Sequence, residues 1–176
     1  MPTRHATAVW QGRLRDGDGT FSGESGAVSG DYSFGSRFEE RGGSNPEELL
    51  AAAQAACYAM ALSAALERAG TPASRVEARA GCTVERVADA FAITQMRLVV
   101  TARVPGADRD TFKDLAEATK NDCPISKALL GNVELDLDAT LEEDDGPMEA
   151  PPGSERRREP RAAEPDPGGA EPADAM

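Results

Sequence analysis

Apolar and polar side chains alternate along several stretches of this chain, and one stretch abandons the alternation altogether. From Leu49 to Leu66 only Gln54, Tyr58 and Ser63 interrupt a run of alanine, leucine, cysteine and methionine. The run is punctuated as a helix. Ser44 or Asn45 can cap it, Pro46 suits its first turn, Glu47 and Glu48 sit at the positive end of the helix dipole, and Gly70 follows its last turn. A helix apolar on nearly every side is expected to be buried on every side. Its many alanines admit another backbone closely, which suits a helix pressed between a sheet and a second copy of itself. The run is long enough to raise a membrane span, but alanine dominates it and Glu47, Glu48, Glu67 and Arg68 flank it. The expectation is a core helix with no membrane role.

Period-two patterns lie on both sides. Thr3 to Leu14 carries Ala6, Ala8 and Trp10 at alternate positions, and Asp16-Gly17-Asp18-Gly19 then turns the chain into a second extended run from Thr20, so a hairpin is expected. A short third strand spans Ala27 to Phe34, followed by a charged, glycine-bounded loop from Gly35 to Gly43. After the long helix, Val76, Ala78, Ala80, Cys82 and Val84 form the apolar phase of one strand, and Met96, Leu98, Val100, Ala102 and Val104 that of the next. Phe91 and Ile93 fall in the opposite phase, which predicts a bulge near Thr94-Gln95. Asp108 or Asp110 caps a helix through Lys120, Cys123-Pro124 restarts a shorter one, and Val133 to Leu141 alternates as the last strand. The order implies an α+β domain: an antiparallel sheet with one long buried central helix.

Composition divides the chain. Residues 1–141 carry all of the periodic pattern, whereas residues 142–176 are rich in proline, glycine and alanine and hold 11 acidic and 4 basic side chains, more than half of the formal net charge of −12. This segment is expected to be a disordered acidic tail without a catalytic role. Neither a basic stripe nor interleaved aromatics appears, and Arg156-Arg157-Arg158 is diluted by acids, so no nucleic-acid partner is expected. Met1 to Arg15 lacks the apolar core of an export signal, and a cytoplasmic protein with reduced thiols is expected. Cys57, Cys82 and Cys123 have no paired spacing, and His5, the single histidine, stands near the terminus. No metal and no cofactor is expected.

The thiols carry the remaining chemistry. Cys57 lies well inside the long helix, where burial raises a thiol pKa and leaves it inert unless a cation reaches it. Cys123 occupies the position before Pro124, where its sulfur can face the open N–H groups of a helix start, and a semi-exposed, available thiol is expected there. Cys82 stands on an apolar strand face and reads as structural. The residues alone leave two readings of Cys57 and Cys123 open, idle core cysteines or a redox pair.

Four separated motifs now bear on that choice. Ser44-Asn45-Pro46-Glu47-Glu48-Leu49-Leu50 running through Ala56-Cys57 to Met60-Ala61-Leu62-Ser63, with Ser36-Arg37-Phe38-Glu39, Phe91-Ala92-Ile93-Thr94 and Cys123-Pro124-Ile125-Ser126, resembles the OsmC/Ohr family of osmotically inducible and organic hydroperoxide resistance proteins. Order and spacing match over residues 4–141, and the position of Arg37 resembles the OsmC branch. The resemblance implies an OsmC-like fold in an intertwined homodimer with its sites at the interface. It also implies a thiol-dependent peroxidase that reduces organic hydroperoxides and, more weakly, hydrogen peroxide. On that resemblance Cys57 is the peroxidatic cysteine, Cys123 the resolving one, Arg37 the cation that holds Cys57 as thiolate, and Glu47 the partner that orients Arg37. A dithiol, such as a lipoylated protein, would reopen the resulting disulfide.

Helix geometry adds one constraint. Glu47 and Cys57 are ten residues apart, about 15 Å along a straight helix, too far for one guanidinium to touch both. The Arg37–Glu47 pair that meets a given Cys57 is therefore expected to come from a second chain. Two other readings compete: a non-catalytic dimeric binding protein for a small apolar ligand, which requires none of the four residues together, and a thiol-dependent hydrolase, whose one candidate histidine base, His5, sits at the N-terminus.

Overall fold

The computed structural model describes residues 2–142, and the acidic segment expected to be a disordered tail lies, beyond Glu142, outside them. Three short strands come first: β1 (Ala6–Gln11), β2 (Asp18–Gly23) and β3 (Ser29–Ser33), an antiparallel meander in the order β1-β2-β3. The chain turns between Gln11 and Asp18, so Asp18 and Gly19, read from sequence as turn residues, are paired strand residues. The meander has almost no interior. Its packing is a small aromatic cluster in which the Tyr32 ring lies 5.4 Å from that of Trp10 and 6.3 Å from that of Phe21.

The expected glycine-bounded loop begins instead with a short helix, α1 (Phe34–Phe38). Ser33 and Ser36 form a reciprocal capping box, each side-chain oxygen accepting from the other's backbone N–H at 3.0 and 2.9 Å. A Cβ at Gly35 would meet the exposed, flexible Arg41 side chain, which would have to shift. Gly35 and Ser36, read from sequence as loop, thus belong to a helical turn that Ser33 caps.

The long helix α2 (Pro46–Arg68) starts and stops as its punctuation indicates. Asn45 is the cap, its Oδ1 accepting from the Glu48 N–H at 2.8 Å. Gly70 takes a φ of +83°, and the Gly70 and Thr71 amides bond back to the carbonyls of Glu67 and Leu66, a Schellman closure that needs a left-handed residue. Burial departs from the expectation of a helix enclosed on all sides. Glu47, Gln54, Tyr58, Leu62 and Leu66 are buried, whereas Ala52, Ala53, Ala56, Met60 and Ser63 form an exposed stripe, with Met60 75% accessible. Gln54 and Tyr58 thus point inward with Leu62 and Leu66, while Met60 points outward. By length and composition α2 is also the one helix among the described residues apolar enough to cross a membrane; its inner face packs on the sheet that follows.

That sheet joins β4 (Arg75–Val87), β5 (Ala90–Arg103) and β6 (Glu134–Glu142) in the order β4-β5-β6. The β4–β5 pair is antiparallel, and its register jumps where Thr83 faces Gln95 and Val84 faces Ile93, leaving Thr94 as the extra residue of the expected bulge. β6 corrects the expectation of a wholly antiparallel sheet, because it runs parallel to β5. The chain returns to the same end of the sheet through α3 (Arg109–Asp122) and α4 (Pro124–Leu129), and a crossover of that length permits parallel pairing. β6 also includes Glu142, whose carboxylate lies 3.3 Å from Arg103. The last strand therefore extends one residue into what composition assigned to the tail.

The core lies between α2, α3 and this sheet. Tyr58, Leu62 and Leu66 pack with Leu98, Val100 and Ala102 of β5 and with Phe112 and Ala116 of α3, all essentially inaccessible. Each leucine so buried contributes about 2 kcal/mol of transfer free energy. These contacts fix the rotation of α2 about its axis, and that rotation decides which way its functional side chains point.

Candidate functional site

The four candidate residues come together as two pairs. The first is at the start of α2. The Ser36 hydroxyl donates to the Ser44 carbonyl at 2.7 Å, the Asn45 amide donates to the Ser36 carbonyl at 3.3 Å, and the Ser44 N–H donates to the Asp31 carbonyl at 2.9 Å. These bonds strap α1 and the end of β3 to the cap of α2. Arg37 on α1 thereby faces Glu47 in the first turn of α2 and grips it with two nitrogens, Nη2 at 2.7 Å and Nε at 3.1 and 3.2 Å from the carboxylate oxygens. Glu47 is nearly buried and Arg37 about a third exposed. The bidentate geometry fixes the guanidinium plane, which also lies over the Phe38 ring at 5.0 Å. Phe38 in turn stacks on Phe34 at 5.0 Å and on Phe91, at the tip of the β4–β5 hairpin, at 4.7 Å. These aromatics cluster beside Arg37. Tyr58 is core, its hydroxyl donating to the Ala116 carbonyl at 2.9 Å, and Met60 faces outward.

The second pair is the two thiols. Cys57 on α2 and Cys123 at the cap of α4 have their sulfurs 3.2 Å apart, both reduced and sharing a hydrogen bond. Accessibility is the reverse of the semi-exposed position expected of Cys123: it is fully buried, whereas Cys57 is half-buried. The reason is that α4 folds back under α2, so the helix start that Cys123 caps points into the core.

The two sulfurs also differ in acidity. Burial raises the Cys57 thiol, and the nearby Cys123 raises it further against a lowering contribution from the Ile125 backbone. Cys123 feels burial as well, yet it is held below the ordinary thiol value because the backbone N–H groups of Ser126 and Ile125, the Cys57 thiol and the Ser126 side chain together outweigh it. The helix-start argument for Cys123 therefore applies. For Cys57 the condition was that a cation reach it, and among the described residues no cation is one of the groups that shift its thiol. No hydrogen bond joins Arg37 to either sulfur among the described residues, and Arg37 is not among the groups that shift Cys57. Cys82 is half-buried on β4, its thiol raised by burial and then by the charge of Glu47. Among the described residues no cluster of histidine, cysteine and carboxylate could hold a metal ion.

Two residues beside the thiols were not singled out as site residues by sequence. Gln54, one turn before Cys57, and Ser126, one turn after Cys123, are both fully buried, and the Gln54 amide donates to the Ser126 hydroxyl at 2.8 Å. The available signal was a glutamine inside an alanine run three residues before a cysteine.

Known proteins resemble this chain in sequence and fold. The family model described as OsmC-like protein matches residues 39–138. Peroxiredoxin OsmC of Escherichia coli is 41% identical over 130 residues, covering 73% of this chain and 91% of that protein. Organic hydroperoxide resistance protein OhrB of Bacillus subtilis is 35% identical over 101 residues, covering 57% and 72%. Among solved structures, an organic hydroperoxide resistance protein from Elizabethkingia anophelis aligns with a TM-score of 0.64 at 23% identity, over 81% of this chain and 98% of that one.

Proposed function

This chain belongs to the OsmC-like family, and we propose that it is a cysteine-based peroxidase reducing organic hydroperoxides. The observation that carries this reading is the approach of two reduced sulfurs to 3.2 Å across α2 and α4. Idle core cysteines have no reason to meet in this way at a helix start that acidifies one of them. The named activities of the relatives at 41% and 35% identity support the same reading.

The steps follow from the positions. The Cys57 thiolate attacks the outer oxygen of the hydroperoxide, the O–O bond breaks, and the alkoxide leaves as alcohol after taking up a proton. Cys57 is left as sulfenic acid. Cys123 then attacks that sulfur and closes a disulfide with loss of water. An external dithiol, of the kind a lipoylated protein carries, reopens the bridge by exchange. A reducing cytoplasm suits this cycle.

Ionising Cys57 requires a cation, and among the described residues none is one of the groups that shift its thiol. We place Arg37 of a second copy there, in a homodimer formed through the exposed alanine stripe of α2 around Met60. The bidentate Glu47 contact leaves one guanidinium nitrogen, Nη1, free of that carboxylate. An arginine beside a thiol lowers its pKa by about 1–3 units. An alkyl tail buried at the interface would favour organic substrates by about 0.8 kcal/mol per CH₂.

The test is one turnover of cumene hydroperoxide by pre-reduced protein with thiols counted afterwards. Wild type is expected to lose two thiols, Cys57→Ser to consume no peroxide, and Cys123→Ser to accumulate a sulfenic acid that dimedone traps. If wild type retains its thiols, the peroxidase reading is wrong and a binding role on the same fold takes its place.

A further inference from the structure

Among the described residues, two side-chain contacts of hydrogen-bond length join α2 to α4, one helical turn apart. Cys57 meets Cys123 sulfur to sulfur at 3.2 Å, and the Gln54 Nε2 group, three residues earlier on α2, donates to the Ser126 Oγ, three residues after Cys123, at 2.8 Å. The helices therefore run antiparallel where they meet, with about 4.5 Å of helix rise between the two contacts. Little else holds α4 in place. It is six residues long, and Ser126 is its one fully buried side chain; Ile125 and Leu129 are half-buried, and Pro124, Lys127 and Ala128 are exposed. The Lys127–Asp122 pair at 3.1 Å lies in solvent, where an ion pair contributes little. Cys123 makes no side-chain bond to its own helix start, so the place of its sulfur follows the α4 backbone. Gln54 is also an unfavourable residue to bury: it is fully enclosed, and among the described residues its Oε1 has no hydrogen-bond partner. An apolar side chain of the same length would avoid that cost, so the glutamine needs a reason beyond filling the core.

We propose that the Gln54–Ser126 bond is a buried clamp that seats α4 on α2 with Cys123 in reach of Cys57, which makes both residues positioning residues for closure of the disulfide. The inference rests on the peroxidase reading for its purpose, though not for its geometry. In the step concerned, the Cys123 thiol gives up its proton and its sulfur attacks the sulfenic sulfur of Cys57. The S–S bond forms, the S–O bond breaks, and the oxygen leaves as water with the proton that Cys123 gave up. The Cys57 sulfur is reduced and the Cys123 sulfur oxidised, each to the disulfide level.

The division of labour follows from what changes in a turnover. The sulfur pair passes from two thiols through sulfenic acid to disulfide, so the contact between Cys57 and Cys123 is remade each time. The clamp takes no part in that chemistry and keeps the two backbones in register throughout. With the clamp cut, α4 keeps only the half-buried Ile125 and Leu129 against the core, and a segment with so few buried contacts opens locally. An open α4 carries Cys123 away, while Cys57 stays on the long helix that the core fixes. Cys57 then waits as sulfenic acid.

The experiment uses the full chain carrying Cys82→Ala, so that Cys57 and Cys123 are its only thiols, alone and with Gln54→Met, Ser126→Ala or both. Each protein is equilibrated in buffers of graded oxidised and reduced glutathione, in which closing the disulfide reduces one oxidised glutathione to two thiols, and the closed fraction is counted after acid quenching and alkylation. Each single substitution is expected to lower the equilibrium constant for closure about tenfold, and the double substitution to lower it no further than either single one, because both remove the same bond. In parallel, after one equivalent of cumene hydroperoxide, dimedone should trap more sulfenic acid on Cys57 in each single variant than in the parent, a change in product that a loss of overall stability does not give. Closure constants within twofold of the parent, or a double variant whose loss is the product of the two single losses, overturn the clamp. Should Ser126→Ala lack a cooperative melt, the Gln54→Met constant decides alone by the same twofold limit. The glutathione equilibrium needs no peroxide, so it judges the clamp even if wild type proves inert to hydroperoxides.

Discussion

Helix α2 carries two polar pairs about three turns apart, and they are built on opposite principles. At its first turn, Arg37 and Glu47 form a charged pair with three short contacts, held by a strap of hydrogen bonds from α1 and β3. In its middle, Cys57 meets Cys123 with no cation among the groups that shift Cys57, and the acidity goes to Cys123 rather than to the more accessible Cys57. The ion pair has charge without a nucleophile, and the sulfur pair has a nucleophile without charge. On the proposed reading each is incomplete by itself, and that reading seats a second copy on the exposed stripe of α2 around Met60 to supply the missing half.

The sharpest way to break that comparison is to separate the pairs onto different chains. Arg37→Met and Cys57→Ser are each expected to lose activity, by about a hundredfold for the arginine from the lost thiolate stabilisation. Mixed and allowed to exchange, the two inactive proteins should recover about a quarter of wild-type turnover, because half the dimers are mixed and each holds one complete site. Steady-state peroxidase assays before and after mixing read this directly. No recovery would mean that each chain serves its own thiol.

Met60→Asp attacks the stripe itself. A charge on an apolar interface opposes association, so sedimentation should show monomer where wild type shows dimer, and turnover should fall with the dimer fraction. A variant that stays dimeric would place the interface elsewhere. The smallest effect is expected from Glu47→Gln, which removes one partner of the ion pair. Because Arg37 is about a third exposed, solvent takes over part of the contact, and a loss of about 1–2 kcal/mol is expected in urea melts. The loss in turnover should exceed what that destabilisation explains, since an unheld guanidinium no longer has a fixed direction. Equal turnover would confine Glu47 to a structural role.

What the sequence determined by itself was local. The ends of α2 at Asn45 and Gly70, the bulge at Thr94 and the helix start at Pro124 each depend on a few adjacent residues whose backbone preferences do not need distant partners. The spacing argument between Glu47 and Cys57 belongs here too, because helix rise is fixed. It separated the two pairs before any fold was known. The cap from Ser33 to Ser36 was legible in principle, but Gly35 and the charges after it read as loop, and the helical turn is marked by the reciprocal capping bonds.

Tertiary structure decided everything that depends on rotation and return. The direction of β6 followed from where α3 and α4 deliver the chain, which no pattern within β6 records. The burial of α2 followed from which side packs on Leu98, Val100 and Phe112, and that choice sent Gln54 and Tyr58 inward and Met60 outward against their polarity. A helix with nearly uniform apolar sides has no amphipathic signal to fix its rotation, so only its neighbours can. The same docking buried Cys123 and brought its sulfur to Cys57, residues 66 positions apart, because α4 folds beneath the one face of α2 that the core had already chosen.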